Sequence, residues 1–475
     1  MGRGNAFVVA GHCHHPREPI AGLGLRVGTH LHPARRTGLP RAGLYEALPR
    51  SEPARKRAYR SGFVASATLG PLPAPLSAEL ALSLELDSGA RSEAPLGTIE
   101  LRPELEPPAE AATATFAAAE RAVAICMATH EPAPELFRRQ IASIRDQTHR
   151  NWVCLISDDG SSAEHLRAVR EEIAGDQRFV LAPSPHRLGF YSNFERALSM
   201  VPADAEFVAL SDQDDAWHPD KLERLLAGLG SAELVYSDAR VVDPAGRTLK
   251  DSFWSERRNN WTNFASLLVA NTVTGASLLC RRELLEDALP FPALVGRPFH
   301  DHWLACVALA RGELAYVDAP LYDYVQHPAT VIGHSQANRP GRGILAEVTA
   351  QLRDGSVRGR EIYFYDWQQL RLFAEVIRLR LGPRMTADKR RALRLVLSAD
   401  SSAAGLAWLV GRRARRLLGH DETLDRELFF AFGLLTMKAI SAASLGLPRP
   451  VPPLVADARV PPRRRPRYPN GPGPG

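Results

Sequence analysis

Between residues 122 and 215, short apolar runs alternate with amphipathic stretches. The runs AVAICMAT (122–129), WVCLISDDGS (152–161), RFVLAPS (178–184) and EFVALSDQDD (206–215) have the length and apolar character of strands buried on both faces. Helices are expected from about Pro134 to Gln147, from Ala163 to Ala174, and around Asn193 to Met200. This strand, helix, strand order predicts a parallel α/β sheet, and such sheets bind ligands at the carboxyl ends of their strands.

The flanking regions follow other periods. SGFVASATLG (61–70), ELALSLELDSG (79–89) and GTIELRP (97–103) are short strand-like runs, and LALSLELD alternates with period two, as half-buried strands do. They predict a small β-sandwich-like accessory domain over residues 1–105, and the Pro-, Ala- and Glu-rich stretch 106–120 suits a linker. The α/β domain is then expected over 121–338. Residues 339–455 turn helical and Arg-rich, with DWQQLRLFAEVIRLRL (366–381), LAWLVGRRARRLLG (406–419) and LFFAFGLLTMKAISAASLGL (428–447). The last of these approaches membrane-spanning length, but Lys438, Thr436 and the serines interrupt it, so amphipathic surface contact and ordinary helix packing both fit. The basic tail, 456–475, is expected to be disordered.

Composition narrows the class. A chain of 475 residues with 45% hydrophobic and 24% charged residues is globular and multidomain. The formal charge of +6 is concentrated in the last third, which suits phosphate-rich ligands or an anionic membrane surface. No nucleic acid is expected, since no zinc finger, RNA-recognition signature or aromatic-interleaved basic stripe occurs. Cys13, Cys126, Cys154, Cys280 and Cys306 are widely spaced, as buried thiols of a reducing compartment are, and a cytoplasmic location follows. His12, Cys13, His14 and His15 lack the spaced second pair of a zinc site and read as a turn.

Chemistry concentrates at acidic strand ends. Asp212, Gln213, Asp214 and Asp215 follow the apolar FVALS directly, and Asp158 and Asp159 end another strand before Gly160 and Ser161. Carboxylates cannot hold a diphosphate directly, but Mg²⁺ or Mn²⁺ bridges the two, because hard cations bind both kinds of oxygen. Each cluster has a plainer reading as well. Asp212–Asp215 could start the helix of WHPDKLERLL, and Asp158 and Asp159 could serve a turn.

VAICMATHEP, QIASIRDQTHRNWVCLISDDGS, LGFYSNFERAL, FVALSDQDDAWHPDKL, VTGASLLCRREL, FHDHWLACVAL and YDYVQHPATVIG follow one another in an order that resembles the inverting family 2 glycosyltransferases of the GT-A fold, rhamnosyltransferase-like members in particular. The resemblance covers roughly 122–335. It implies that Thr129 and Glu131 line a nucleotide pocket, that Asp158 and Asp159 contact base and ribose, and that Asn193 faces the donor. It further implies that Asp212 and Asp214 bind the metal, with a weaker indication for His327, and that Asp301 is the catalytic base. An alcohol is a weak nucleophile, and a carboxylate in hydrogen-bond reach can take its proton; the plainer reading of Asp301 is a helix N-cap.

The implied partners are a nucleotide-diphosphate sugar, dTDP-rhamnose being one candidate, and a glycan or lipid-linked acceptor at the inner face of the cell membrane. No Gln-x-x-Arg-Trp motif follows Asp301, so single addition is favoured over polymer synthesis. Two alternatives stand beside it: a nucleotidyltransferase, whose Gly-rich basic phosphate loop HEPAPELF does not resemble, and a noncatalytic carbohydrate-binding scaffold.

Overall fold

The computed structural model describes residues 4–39, 41, 44, 47–48, 55–71, 74–101, 107–118, 120–254, 258–292, 296, 298–327 and 356–442. The expected tail (456–475), the end of the expected α/β domain (328–338), and the stretches 339–355 and 443–455 lie outside these residues. Two compact units emerge, one built on Ala6–Leu69 and Pro75–Leu101, the other on Arg102–Ala439.

The first unit holds β1 (Gly4–His12), β2 (Ile20–Val27), β3 (His30–Leu39), a short helix α1 (Arg55–Tyr59), β4 (Gly62–Pro71), β5 (Leu76–Leu86) and β6 (Arg91–Leu101). Its strands form one continuous six-stranded sheet, ordered β1-β4-β3-β2-β5-β6. Period-two alternation decides which side chains face the core, not which strand becomes the neighbour. His12 ends β1, and Cys13–His15 are irregular rather than a turn, leading into a bend at 16–18: Cys13 N donates to Ser61 O at 2.8 Å, and Glu18 N donates to His15 Nδ1 at 3.0 Å.

The second unit contains the α/β sheet. It begins β7 (Val123–Thr129), α2 (Pro134–Arg145), β8 (Trp152–Asp158), α3 (Ala163–Ile173), β9 (Phe179–Pro183), α4 (Phe190–Ser199), β10 (Phe207–Ser211) and β11 (Ala216–Trp217). Then follow α5 (Lys221–Leu229), β12 (Leu234–Val242), β13 (Thr248–Lys250), α6 (Phe264–Val269), β14 (Leu278–Arg281), α7 (Leu285–Ala288), α8 (His300–Arg311) and β15 (Leu314–Val325). The sheet order is β11-β15-β12-β14-β10-β7-β8-β9, with β13 added on β12.

β10, β7, β8 and β9 are parallel, as the alternation predicts, whereas β14 runs antiparallel between β10 and β12. Burial on both faces explains the unbroken apolar strands. Val123, Ile125 and Met127 share one core with Phe137, Ile141 and Ile144 of α2 and Val169 of α3. On the other face α4 packs against β7, close enough for Cys126 Sγ to reach Ala197 O at 3.5 Å. Register places Thr129 opposite Asp158, so both strands reach the same edge of the sheet.

Behind the sheet lie α9 (Ser356–Glu361), a π-helical turn (Ile362–Trp367), α10 (Gln368–Leu381), α11 (Ala387–Ser398), α12 (Ala403–Gly411), a 3-10 turn (Arg412–Leu418) and α13 (Arg426–Ala442). The stretch 406–419 is therefore not one helix. Past Gly411 it tightens, and Arg412, Arg413, Arg415 and Arg416 pair with Glu427, Asp425, Glu422 and Asp425. α10 buttresses α8, with Phe373 5.1 Å from the Trp303 ring and 5.6 Å from His302. In α13, Phe430, Ala431, Leu434 and Met437 form a buried stripe, so this helix packs in the ordinary way. Among the described residues no single helix is long and apolar enough to cross a membrane.

Candidate active site

At the exits of β7 and β8, every carboxylate oxygen is engaged by the protein. Asp158 accepts from Ser161 N (2.9 Å), Ser161 Oγ (2.6 Å) and Thr129 Oγ1 (3.0 Å). Asp159 accepts from the backbone N–H groups of Leu188 and Gly189 and so fixes the entry to α4. Glu131, held at φ 45°, accepts from Ser162 N at 2.7 Å and meets His165 Nδ1 at 2.6 Å. Asn193 is buried and clamps the two strand ends, donating to Thr129 O (3.2 Å) and Ser157 O (2.9 Å) while accepting from Ser157 Oγ (2.7 Å). The turn role of Asp158 is thus real, and Ser162 caps α3. The five residues expected at the nucleotide pocket lie together at this corner.

The second acidic group follows β10. The helix it could have capped starts only at Lys221, with Asp220 at its N-cap and β11 in between, so Asp212 and Asp214 have no capping role. Gln213 points back: it accepts from His130 N at 2.8 Å and donates to His130 O at 3.2 Å, joining the β10 exit to the β7 exit. His327 Nε2 lies 2.7 Å from Asp214 Oδ2, which brings the end of β15 to the acidic pair.

Asp212 makes no side-chain hydrogen bond among the described residues, and one oxygen of the buried Asp215 is equally without a partner. Burial, then the charges of Asp214 and Asp301, push the Asp212 carboxyl up to about 7, with Lys221 opposing. Burial likewise raises Asp215 well above the usual carboxylate range. Lys221 is fully buried, donates to Ala276 O, and sits 3.6 Å from the Trp217 ring centre. Burial lowers its pKa, which Asp215 and Asp212 partly restore.

Two carboxylates and an imidazole, with an unpartnered buried oxygen at the neighbouring Asp215, are donors of the kind that Mg²⁺ or Mn²⁺ takes. Among the described residues, however, no group of three or more His, Cys, Asp or Glu side chains is arranged to hold a metal ion.

Asp301 lies in the first turn of α8, whose N-cap is Phe299, so it is not the cap. It stands near enough to Asp212 for the two charges to repel. Its carboxylate accepts from Asn271 Nδ2 (3.0 Å), His302 N (2.6 Å) and Gly275 N (3.1 Å). Burial nevertheless pushes it up to about 7 against those hydrogen bonds. A carboxyl poised there can exchange a proton near neutral pH. Its neighbour His300 stacks on Phe194 at 3.6 Å and holds its edge against Gly275, where a Cβ would lie 2.6 Å from Nε2. Only glycine leaves room for that ring while presenting its N–H to Asp301.

Sequence reading took Gln213 and Asp215 only as members of the acidic cluster, gave His300 no role, and did not single out Lys221 or Asn271. Lys221 opens an amphipathic helix, where a lysine normally reads as solvated. Gly275 appeared only inside the motif VTGASLLCRREL, with no role of its own.

An acidic crevice at the carboxyl ends of parallel strands, with a shifted carboxyl beside it, belongs to an enzyme class that handles charged ligands. Residues 124–289 match the model of Glycosyl transferase family 2. An uncharacterised glycosyltransferase of Methanocaldococcus jannaschii is 21% identical over 190 residues, 39% of this chain and 64% of that protein. The succinoglycan biosynthesis protein ExoW of Rhizobium meliloti is 33% identical over 96 residues, 20% of this chain and 29% of that one. The chain thus spans less than two thirds of these curated relatives. Among solved structures, Staphylococcus aureus TarS 1–349 with UDP-GlcNAc aligns at 13% identity and TM-score 0.40, over 68% of this chain and 92% of that one. The mannosyltransferase PcManGT of Pyrobaculum calidifontis, with GDP-Man and Mn²⁺, aligns at 17% identity and TM-score 0.33, over 72% and 90%.

Proposed function

We propose that the protein is a metal-dependent glycosyltransferase that moves a sugar from a nucleotide-diphosphate donor to a hydroxyl of a glycan or lipid-linked acceptor, with inversion. The observation that carries this reading is the convergence of the Asp212–Asp214 pair, His327 at 2.7 Å from Asp214 and Asp301 within electrostatic range of Asp212, from distant parts of the chain, around a stretch that matches the family 2 model. Asp301 takes the proton of the acceptor hydroxyl as that oxygen bonds to the anomeric carbon. The nucleoside diphosphate leaves from the opposite face, which inverts the centre.

Asp212, Asp214 and His327 would hold Mg²⁺ or Mn²⁺, which when bound neutralises the charge of the departing diphosphate. Thr129, Glu131, Asp158, Asp159 and Asn193 shape the nucleotide corner. dTDP-rhamnose is a candidate donor on the rhamnosyltransferase-like motifs, and the five unpaired cysteines suit the cytoplasm.

The test is to incubate the purified protein with Mn²⁺ and a panel of nucleotide sugars, with and without chelator, and to follow nucleoside diphosphate release. Chelator-sensitive release with one donor is expected. Pyrophosphate release would point instead to a nucleotidyltransferase, and silence across the panel to a binding scaffold.

A further inference from the structure

Helix α12, AAGLAWLVG, is nine residues long without one polar side chain, yet buries only Gly405 and Leu409. Ala403, Ala404, Ala407 and Val410 face solvent. The 3-10 turn after it ends in Leu417 and Leu418, 88% and 76% exposed. This turn is braced rather than frayed. Gly419 closes it at φ 76°, Gly419 N and His420 N donate to Arg416 O and Arg415 O, and Asp425 takes both Arg413 (3.0 Å) and Arg416 (2.6 Å). Two adjacent leucines held outward in a built turn beside an exposed apolar helix mark a contact surface.

Charge identifies the partner. The ion pairs along Arg412–Arg416 consume the charges of the turn itself. On α11, which packs against α12, Arg390, Arg391 and Arg394 are exposed and have no acidic partner among the described residues. A second copy of the chain would bring the same three arginines to a symmetric contact, and the chain's own C-terminal residues carry Arg463, Arg464, Arg465 and Arg467. Both would repel. An anionic phospholipid surface offers hydrocarbon and negative charge together.

α11 and the 403–418 stretch have the joint length and composition of a span but are bent by 114°. With arginines on both sides, insertion across the bilayer core is costly, whereas lying in the headgroup plane is not. We propose that α12 and the turn ending in Leu417 and Leu418, flanked by the arginines of α11, seat this protein peripherally on an anionic bilayer.

The experiment is cosedimentation of the full chain with neutral phosphatidylcholine vesicles and with vesicles containing about a third phosphatidylglycerol. Binding to the anionic vesicles, weakened at least about tenfold on neutral ones, is expected, because each basic residue near the surface adds about 1 kcal/mol. The Leu417→Ser, Leu418→Ser double variant should bind at least about tenfold more weakly, from the loss of two buried leucines. The Arg390→Gln, Arg391→Gln, Arg394→Gln triple variant should lose the preference for anionic vesicles. Wild-type protein left in the supernatant at low salt, or a double variant that binds as well as wild type, would overturn the proposal. So would a wild-type dimer that the double variant converts to monomer without any vesicle binding. Nucleoside diphosphate binding, which should not change in these surface variants, keeps the result separate from misfolding and from the catalytic reading.

Discussion

The two acidic corners of the crevice differ in how their carboxylates are satisfied. At the β7 and β8 exits each oxygen of Glu131, Asp158 and Asp159 meets a protein donor. At the β10 exit the half-buried Asp212 makes no side-chain hydrogen bond among the described residues, and the buried Asp215 keeps one oxygen bare. A carboxylate with all its partners holds loops in place, and one left without them in a buried site carries a desolvation cost that only a ligand or a proton relieves. The first corner is scaffolding that fixes the ends of β7 and β8. The second is where charge is missing.

The sharpest test of that contrast is Asp301→Asn. Transfer should fall about 10²- to 10⁴-fold, the usual contribution of a general base, while nucleoside diphosphate binding measured by calorimetry stays within about twofold. Retained transfer would remove the assigned base. Next in size is Lys221→Met, which strips the buried cation from Asp212 and Asp215. A loss of about 3–5 kcal/mol in urea unfolding is expected, as for other broken buried pairs, and an unchanged midpoint would show that Lys221 is no counterion.

Asp159→Ala probes the satisfied corner. It leaves two backbone N–H groups without an acceptor and should cost about 1–3 kcal/mol, with faster amide exchange at Leu188 and Gly189.

A last test is a matter of pH, and its effect vanishes in acid. Glu195 on α4 is pushed up to about 7 by burial, against the hydrogen bond from Phe291 N. Because the folded form then holds a proton that the unfolded form has released, stability falls as pH rises through the window from the ordinary carboxylate range to about 7. Glu195→Gln should therefore be more stable than wild type at pH 8 and equal to it near pH 4, the gap opening by up to about 1.4 kcal/mol per pH unit. A constant gap would refute the shift. Asp301, raised in the same sense, should give transfer an acid limb near pH 7, since only its ionised form accepts a proton.

The α/β alternation was legible because strands buried on both faces need unbroken apolar runs and their helices need one apolar stripe. β8, buried at all seven positions, announces itself in WVCLISD. The strand ends were legible too, since acids after such a run have nowhere to go but the crevice. Pairing was not: β14 runs antiparallel between β10 and β12, and nothing in LLCR states its direction. Partner roles were equally hidden. Lys221 lies in a helix whose pattern assigns it to solvent, and the contact of His300 with Gly275 depends on two segments meeting across the fold. The Arg-rich stretch 406–419 looked like one helix because its turn residue, Gly419, comes only after the winding has already changed.

The middle letter of the acidic motif has a meaning of its own. Gln213 spans both backbone polar groups of His130 like a peg through two boards, so the loop after β7 and the β10 acids form a single piece. An amide alone can give and take at that spot, whereas a glutamate would set its charge against a carbonyl. Any pull on the loop after β7 therefore reaches Asp212 and Asp214 through one side chain.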